Sequence, residues 1–577
     1  MTQVPELSTA PPAAAPVTLT GGEALARVLR VSGVLDLFGV PAGKLTPFLG
    51  AVSRDGAFRH IGTRHEAPAV WMAGALFQAT GRIAVAYGES GPGSHNLVSA
   101  LGSLRNNNLA ALILTPGAPS GVAYPHQGLV MDSDNERLFA PVTGWSGVAR
   151  SPERIPQLVR WALREALTGR PGPTHLEIPI DVLRAQAAFD PAELDAPLER
   201  FLPTGRAPAD PAAVEDAAGL LSRARRPLII AGGGAALAGA EGELRALAAT
   251  LGAAATATQM GLGMVSTADP RFFGHGGVIG GEAVVRAMQE ADVVLAVGCR
   301  FSSWLWTGVG PAVLGWPRQE LIQIDVDPAA IGRLRAVSVG LLGDARAVLG
   351  QLREAVGRAS ADGAWVDSLV AEHRRDREAM LAAATPVDGV MHPAALADAL
   401  GRALPEHALV TYDGGHTTFW SNDLTPALEP RTRFHEPGMG HLGFGIPAAL
   451  ALKARYPDRA VVNVTGDGAF GFTMPELDTA RRHGLAAVHV IHNNESWGVI
   501  RMAQGRGGFE LGTGLEATDY AAVARALGCH GERIERAEEV APALDRALSS
   551  GLPAVIDARV AFVPHPGMGR FAAAGSR

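Results

Sequence analysis

AVVNVTGDGAFGFTMPELDTARRHGLAAVHVIHNNESWG, residues 460–498, is the stretch that decides the fold. Its apolar, β-branched run from Val461 to Val464 ends at the turn Gly466-Asp467-Gly468, the pattern of a buried parallel strand closing in a tight loop. A helix is expected from about Met474 to Arg482, with Pro475 tolerated in its first turn. A second apolar run, Ala486 to Ile491, leads to Asn493-Asn494. Strand, loop, helix and strand make a unit of a parallel α/β sheet. The unit puts Asp467 and Asn494 at the carboxyl ends of two strands, the edge where open sheets of this kind bind ligands.

The residue types at that edge suit a divalent metal and a diphosphate. Asp467 brings a carboxylate, Asn494 an amide oxygen, and the backbone after Asn494 a carbonyl. Hard oxygen ligands with phosphate completing the shell are what Mg²⁺ prefers. Gly466 and Gly468 let the backbone approach phosphate oxygens. Alone, Gly-Asp-Gly is equally a plain strand-end turn. The 24 residues between Gly468 and Asn493, with a helix and a strand fitted among them, give the pair its meaning.

At 577 residues the chain exceeds a single core and implies about three domains. With 47% apolar and 19% charged residues it has the composition of a soluble α/β enzyme. A net charge of −7 argues against nucleic acid as a partner. The two cysteines, Cys299 and Cys529, lie too far apart in sequence to suggest a disulfide framework or zinc site, and Cys299 reads as a buried packing thiol. No apolar run has the length of a membrane span. The first 16 residues, rich in Ala and Pro and without a basic segment, read as a disordered tail rather than a signal peptide, so a cytoplasmic protein is expected.

From the tail onward, Thr18 to Gly33 reads as a capped amphipathic helix before the strand and turn VLDLFGVPAG. Thr63-Arg64-His65-Glu66 precedes a small-residue helix, and the strand IAVAYGES runs into Gly91-Pro92-Gly93 and another helix. This βαβα alternation implies a doubly wound parallel sheet. After a Pro/Asp/Ala-rich linker at 191–208, RPLIIAGGGA, ADVVLAVGCR and ELIQIDVDP supply strands of a second sheet. Gly232 to Gly234 there do not match the spacing of a dinucleotide loop. A charged helical stretch at about 351–384 leads to DGGHTTFW, GMGHLGFGIPAALALK and the opening motif, and the Pro/Gly-rich end reads as a tail.

RHEAPAVWMAGALFQATG with SGPG resembles the pyrimidine-binding domain of thiamine-diphosphate-dependent enzymes. GMGHLGFGIPAALALK with GDG and NN resembles their diphosphate-binding domain, and the stretch between resembles their middle domain. The resemblance covers about residues 17–563. It implies three α/β domains, each a doubly wound parallel sheet, at 17–190, 208–350 and 385–563, flanked by tails at 1–16 and 564–577. It further implies thiamine diphosphate and Mg²⁺ as cofactors, with ADP or FAD a possibility in the middle domain. The assembly it implies is a homodimer or homotetramer in which Glu66 of one subunit faces the diphosphate domain of another.

Carried over residue by residue, Glu66 matches the glutamate that hydrogen-bonds the aminopyrimidine N1′ and cycles its proton. Leu442 matches the apolar residue that props the cofactor in a bent shape, a role that packing in a core would also give it. Gly440 matches the position whose carbonyl accepts from the pyrimidine amino group. Asp467, Asn494 and the Ser496 carbonyl match the metal ligands; Gly91, Gly414, Gly415, Gly466, Gly468 and Asn493 match cofactor contacts. His416 is placed to meet diphosphate or to serve the structure alone. Gln127 and Trp497 are candidates for the substrate side, although many relatives have Gln-Glu where this chain has Gln127-Gly128.

Arg300-Phe301-Ser302-Ser303-Trp304, Gly315-Trp316, Asn107 and TDYAAVARALGCHGERI resemble oxalyl-CoA decarboxylases and 2-hydroxyacyl-CoA lyases. Gly91-Pro92-Gly93-Ser94, GFGIPAALALK and GRPGPTHLEIPIDV look equally like acetolactate synthase. Glu495, next to Asn494, tips the expectation: if the segment is extended, its side chain turns away from the metal. There it would act on the substrate as a second acid/base, unless it is a solvated loop carboxylate. A carboxylate in that place repels a 2-oxo acid, so cleavage of a 2-hydroxyacyl-CoA to an aldehyde or ketone plus formyl-CoA is the leading expectation. Acetolactate synthase-like condensation or decarboxylation of 2-oxo acids is the alternative. A non-catalytic scaffold is disfavoured because Glu66, Asp467 and Asn494 are all intact.

Overall fold

The computed structural model describes residues 15–125, 128–277, 280–302, 305, 319–357 and 361–568. These residues form two compact units, one of residues up to 73 with 82–204, the other of 74–81 with 205 onward.

The first unit holds a six-stranded sheet: β2 (Asp36–Gly39), β3 (Arg59–Gly62), β4 (Val85–Tyr87), β5 (Ala111–Gly117), β6 (Trp145–Val148) and β7 (Pro173–Pro179), in the order β3-β2-β4-β5-β7-β6. Every pairing is parallel, as the βαβα alternation requires. Beside it, β1 (Val17–Thr20) pairs antiparallel with β8 (Gln186–Phe189). That strand shortens the expected helix from Thr18, which begins only at Gly21. Thr20 closes the strand and caps the helix: it accepts from the Glu23 N–H while Glu23 reaches back to the Thr20 N–H.

The second unit holds two parallel sheets. One has five strands, β9 (Pro227–Ala231), β10 (Ala254–Ala257), β11 (Val293–Val297), β12 (Glu320–Asp325) and β13 (Val339–Leu342), in the order β10-β9-β11-β12-β13. The glycines 232–234 have a packing explanation here. A Cβ on Gly232 would lie 2.2 Å from the Gly298 carbonyl oxygen, so the loops after β9 and β11 meet backbone to backbone. Cys299 is buried in the adjoining core, and burial pushes its thiol up to about 11. Ser303, Trp304, Gly315 and Trp316 lie outside the described residues.

The other sheet has six strands: β14 (Leu409–Asp413), β15 (Arg433–Phe434), β16 (Val461–Gly466), β17 (Val488–Asn493), β18 (His530–Ile534) and β19 (Ala554–Arg559), in the order β15-β14-β16-β17-β19-β18. All its pairings are parallel. The opening motif lies in its centre, with one difference from expectation. The helix after β16 begins at Asp467, runs to Thr473, and resumes as Glu476–Arg482. Pro475 has no N–H to continue the ladder, so one helical stretch becomes two.

The C-terminal end also differs from the expected tail. His565 and Met568 are buried, and Met568 packs with Phe419. Residues 569–577 lie outside the described chain. Among the described residues, no helix is long and apolar enough to cross a membrane.

Candidate active site

From β14 the chain goes first to β15 on one side and then to β16 on the other, so the loops after β14 and β16 part and leave a crevice. Gly414, at φ 83°, opens the helix Gly415–Leu424 on one lip; Gly466 opens the helix Asp467–Thr473 on the other. The lips are close: a Cβ on Gly414 would lie 3.5 Å from the Gly466 nitrogen, and one on Gly415 would lie 2.6 Å from a Val499 methyl. Helix N-termini with free N–H groups suit phosphate oxygens.

Asp467 is 3% exposed. Its Oδ1 accepts from the Gly468 N–H at 2.9 Å and its Oδ2 from the Ser496 N–H at 3.2 Å. Ser496 Oγ in turn donates to Asn494 Oδ1 at 3.0 Å. Ser496 thus links the carboxylate to the amide. Burial pushes the Asp467 carboxyl up to about 6, and the groups that hold it down are all backbone N–H groups. A buried carboxylate that no cationic side chain compensates, beside an amide oxygen and a backbone carbonyl, fits a divalent cation whose shell phosphate oxygens complete. Among the described residues, no cluster of three or more His, Cys, Asp or Glu side chains could hold a metal, so this mixed donor set is the candidate.

The His416 side chain is engaged within its own chain, as the structural of its two expected roles would have it. Its Nε2–H donates to the Val563 carbonyl at 2.8 Å, and its Nδ1 lies 3.3 Å from Asn494 Nδ2. Burial pushes its pKa down to about 4, so the ring is neutral and Nδ1 is an acceptor. Its side chain therefore addresses Asn494 rather than a diphosphate. Asn493 donates to Thr518 O at 3.1 Å and to Asp557 Oδ1, on the neighbouring β19, at 2.9 Å, while its own Oδ1 is buried without a partner among the described residues. Gly468 has a packing reason beside the one expected, because a Cβ there would lie 2.6 Å from the Trp497 ring. That ring also meets Phe472 edge to face at 6.1 Å.

Glu495 departs most from expectation. Its φ is 55°, so the segment turns left-handed between Asn494 and Ser496 instead of running extended, and the alternation argument for its direction fails. Its carboxylate lies 3.8 Å from the Arg559 guanidinium at the end of β19.

Gly440, at φ 65°, and Leu442 line a cleft together with Asp413, Asn422, His435 and Glu436. Sequence reasoning missed these last four: Asp413 stands in DGGHTTFW without being singled out, and Asn422, His435 and Glu436 fall outside the quoted motifs. Asp413 accepts from the Gly443 and Gly445 N–H groups, and burial with Glu436 nearby pushes its carboxyl up to about 7. Glu436 accepts from the Met439 and His441 N–H groups at 2.9 and 2.7 Å and so shapes the loop that carries Gly440. Both amide atoms of Asn422 and the Nδ1 of His435 are buried without a partner among the described residues. Orphaned polar atoms in a cleft wall fit a ligand that satisfies them.

In the first unit, Glu66 begins the helix Glu66–Thr80 and is 7% exposed. Asn96 Nδ2 donates to its Oε2 at 2.9 Å, a partner that sequence reasoning did not single out. Gly88 and Gly93 leave room for the carboxyl: a Cβ on either would come within 3.0 Å of Glu66. Gly91, at φ 74°, turns the chain after β4 into the helix Pro92–Asn107. Asn107, read as a mark of the CoA branch, donates to Ser103 O within that helix. Gln127 lies outside the described residues.

Three family profiles match in order. Residues 19–135 match the Thiamine pyrophosphate enzyme, N-terminal TPP binding domain; 214–352 match its central domain; 413–558 match its C-terminal TPP binding domain. The acetolactate synthase large subunit of Corynebacterium glutamicum is 32% identical over 560 residues, covering 94% of this chain and 87% of that protein. The chain belongs to the thiamine-diphosphate-dependent enzymes. Two further relatives in this family are 30% identical: the probable acetolactate synthase large subunit of Methanocaldococcus jannaschii, covering 93% of this chain and 91% of that protein, and the acetolactate synthase isozyme 2 large subunit of Escherichia coli, covering 93% and 94%. A thiamine-diphosphate-dependent enzyme needs a phosphate-accepting sheet edge and a carboxylate for the pyrimidine. The crevice between β14 and β16 and the buried Glu66 are the features of this chain that fit those needs.

Proposed function

We propose that the protein is an acetolactate synthase like the relatives so named, condensing two molecules of pyruvate to acetolactate with loss of one carbon dioxide. The observation that carries this reading is the similarity to acetolactate synthases along nine-tenths of the chain. When bound, thiamine diphosphate would supply the nucleophilic carbon that this chemistry requires. Glu66 holds and moves the proton at the pyrimidine edge, and Asn96 fixes the carboxyl's orientation through Oε2. Asp467, Asn494 and the Ser496 carbonyl would hold Mg²⁺, with phosphate oxygens completing its shell. The Gly440 loop, braced by Glu436, would offer its carbonyl to the pyrimidine amino group.

The electrostatic case for a hydroxyacyl thioester rested on an extended Glu495 with a free negative charge. With that residue in a left-handed turn and facing Arg559, the objection to a carboxylate substrate loses its support. Purified protein with Mg²⁺ and thiamine diphosphate is expected to convert pyruvate alone into acetolactate, read as acetoin after acid decarboxylation. Formyl-CoA from a 2-hydroxyacyl-CoA, with pyruvate untouched, would reverse the assignment.

A further inference from the structure

The C-terminal segment after β19 lies against the helix Gly415–Leu424 in a way the reaction scheme does not use. The Val563 carbonyl accepts from two side chains one turn apart on that helix, His416 Nε2–H at 2.8 Å and Trp420 Nε1–H at 3.0 Å. The Phe562 ring stacks on His416, with centroids 5.4 Å apart, and the Arg501 guanidinium lies over that same Phe562 ring, 5.0 Å from its centroid. Further on, His565 contacts Asp423, and Met568 is buried against Phe419.

We propose that His416 is a positioning residue that orients the Asn494 amide, with its tautomer set by the Val563 carbonyl of the C-terminal segment. A carbonyl can only accept, so Nε2 carries a hydrogen, and Nδ1, which faces the Asn494 NH₂, offers it a lone pair. Asn494 must then turn its NH₂ toward His416, at 3.3 Å. Its Oδ1 is left on the opposite side, where Ser496 Oγ donates to it and where the Ser496 N–H reaches Asp467. An amide can be flipped without changing its shape, and the flipped form would offer a metal two hydrogens instead of an oxygen. The segment 562–568, although it follows the last strand, thus selects the metal-binding face of Asn494. The inference rests on Asp467, Asn494 and Ser496 being the metal ligands.

The test is the Mg²⁺ concentration needed to support thiamine diphosphate binding, read by tryptophan fluorescence and calorimetry, with circular dichroism to confirm folding. His416→Gln places an amide near the Nε2 position, keeping a donor for Val563 but losing the acceptor for Asn494. It should raise the Mg²⁺ requirement by roughly 10–100-fold, the range seen when a group that orients a metal ligand is lost. His416→Asn places an amide oxygen near the Nδ1 position and should stay close to wild type. In an Asn494→Asp background either carboxylate oxygen can face the metal, so adding His416→Gln should cost little more; His416→Ala reads the same loss if Gln does not fold. Equal Mg²⁺ requirements for the Gln and Asn variants, or an undiminished cost in the Asp background, overturn the positioning role. Wild-type binding that ignores Mg²⁺ would instead overturn the metal-site reading beneath it.

Discussion

Glu66→Gln is expected to slow exchange of the bound cofactor's C2 proton by roughly 10²–10⁴-fold, the usual contribution of a positioned acid–base group. Glutamine keeps the size of the side chain and can still accept from Asn96 Nδ2, now 2.9 Å from Oε2. It cannot take up and release a proton. Because Gly88 and Gly93 confine the group so closely, a side chain of the same shape is needed for a clean result, and Glu66→Ala would confound lost chemistry with a cavity. Cofactor affinity should change far less than exchange. Hydrogen–deuterium exchange at C2, quenched in acid and read by NMR, measures the effect. Exchange at the wild-type rate would mean that another group activates the pyrimidine.

Asp467→Ala should weaken Mg²⁺-supported thiamine diphosphate binding by more than about 100-fold, above the roughly 10–100-fold that follows from disturbing a residue that only orients a ligand. The carboxylate is the one charged donor in the candidate set, and its loss leaves an amide and a carbonyl to hold a dication against a diphosphate. The fold should survive. Asp467 is the first residue of its helix, and the substitution removes a buried charge that costs stability when no metal compensates it. Calorimetric titration of the folded variant is the check; affinity near wild type would remove Asp467 from the metal site.

The three sheets were legible because parallel strands buried on both faces read as unbroken apolar runs, as at Val461–Val464 and Val293–Val297. Asp467 and Asn494 could be placed at strand ends for the same reason. What escaped the sequence was set by contacts between distant residues. The left-handed turn at Glu495 follows no glycine signal, since a residue with a side chain occupies a conformation that glycine favours. Residues from 564 onward read as a tail by composition, yet the donors at His416 and Trp420 and the packing of Phe562 and Met568 hold the segment 562–568 in place. Asn96 sits inside an ordinary helix, and nothing local marks the face that meets Glu66, thirty positions away. Asn422 and His435 carry their meaning only in the cleft wall, where the Asn422 amide and the His435 Nδ1 lack partners among the described residues.

If the crevice between β14 and β16 holds thiamine diphosphate through a divalent metal, titrating cofactor-free protein with thiamine diphosphate, once with Mg²⁺ and once with EDTA, will show it. Saturable binding with Mg²⁺ at one cofactor per chain is expected, and binding reduced at least about 100-fold in EDTA, in line with a diphosphate held through its metal. Equal affinity in the two titrations, or none in either, would contradict it.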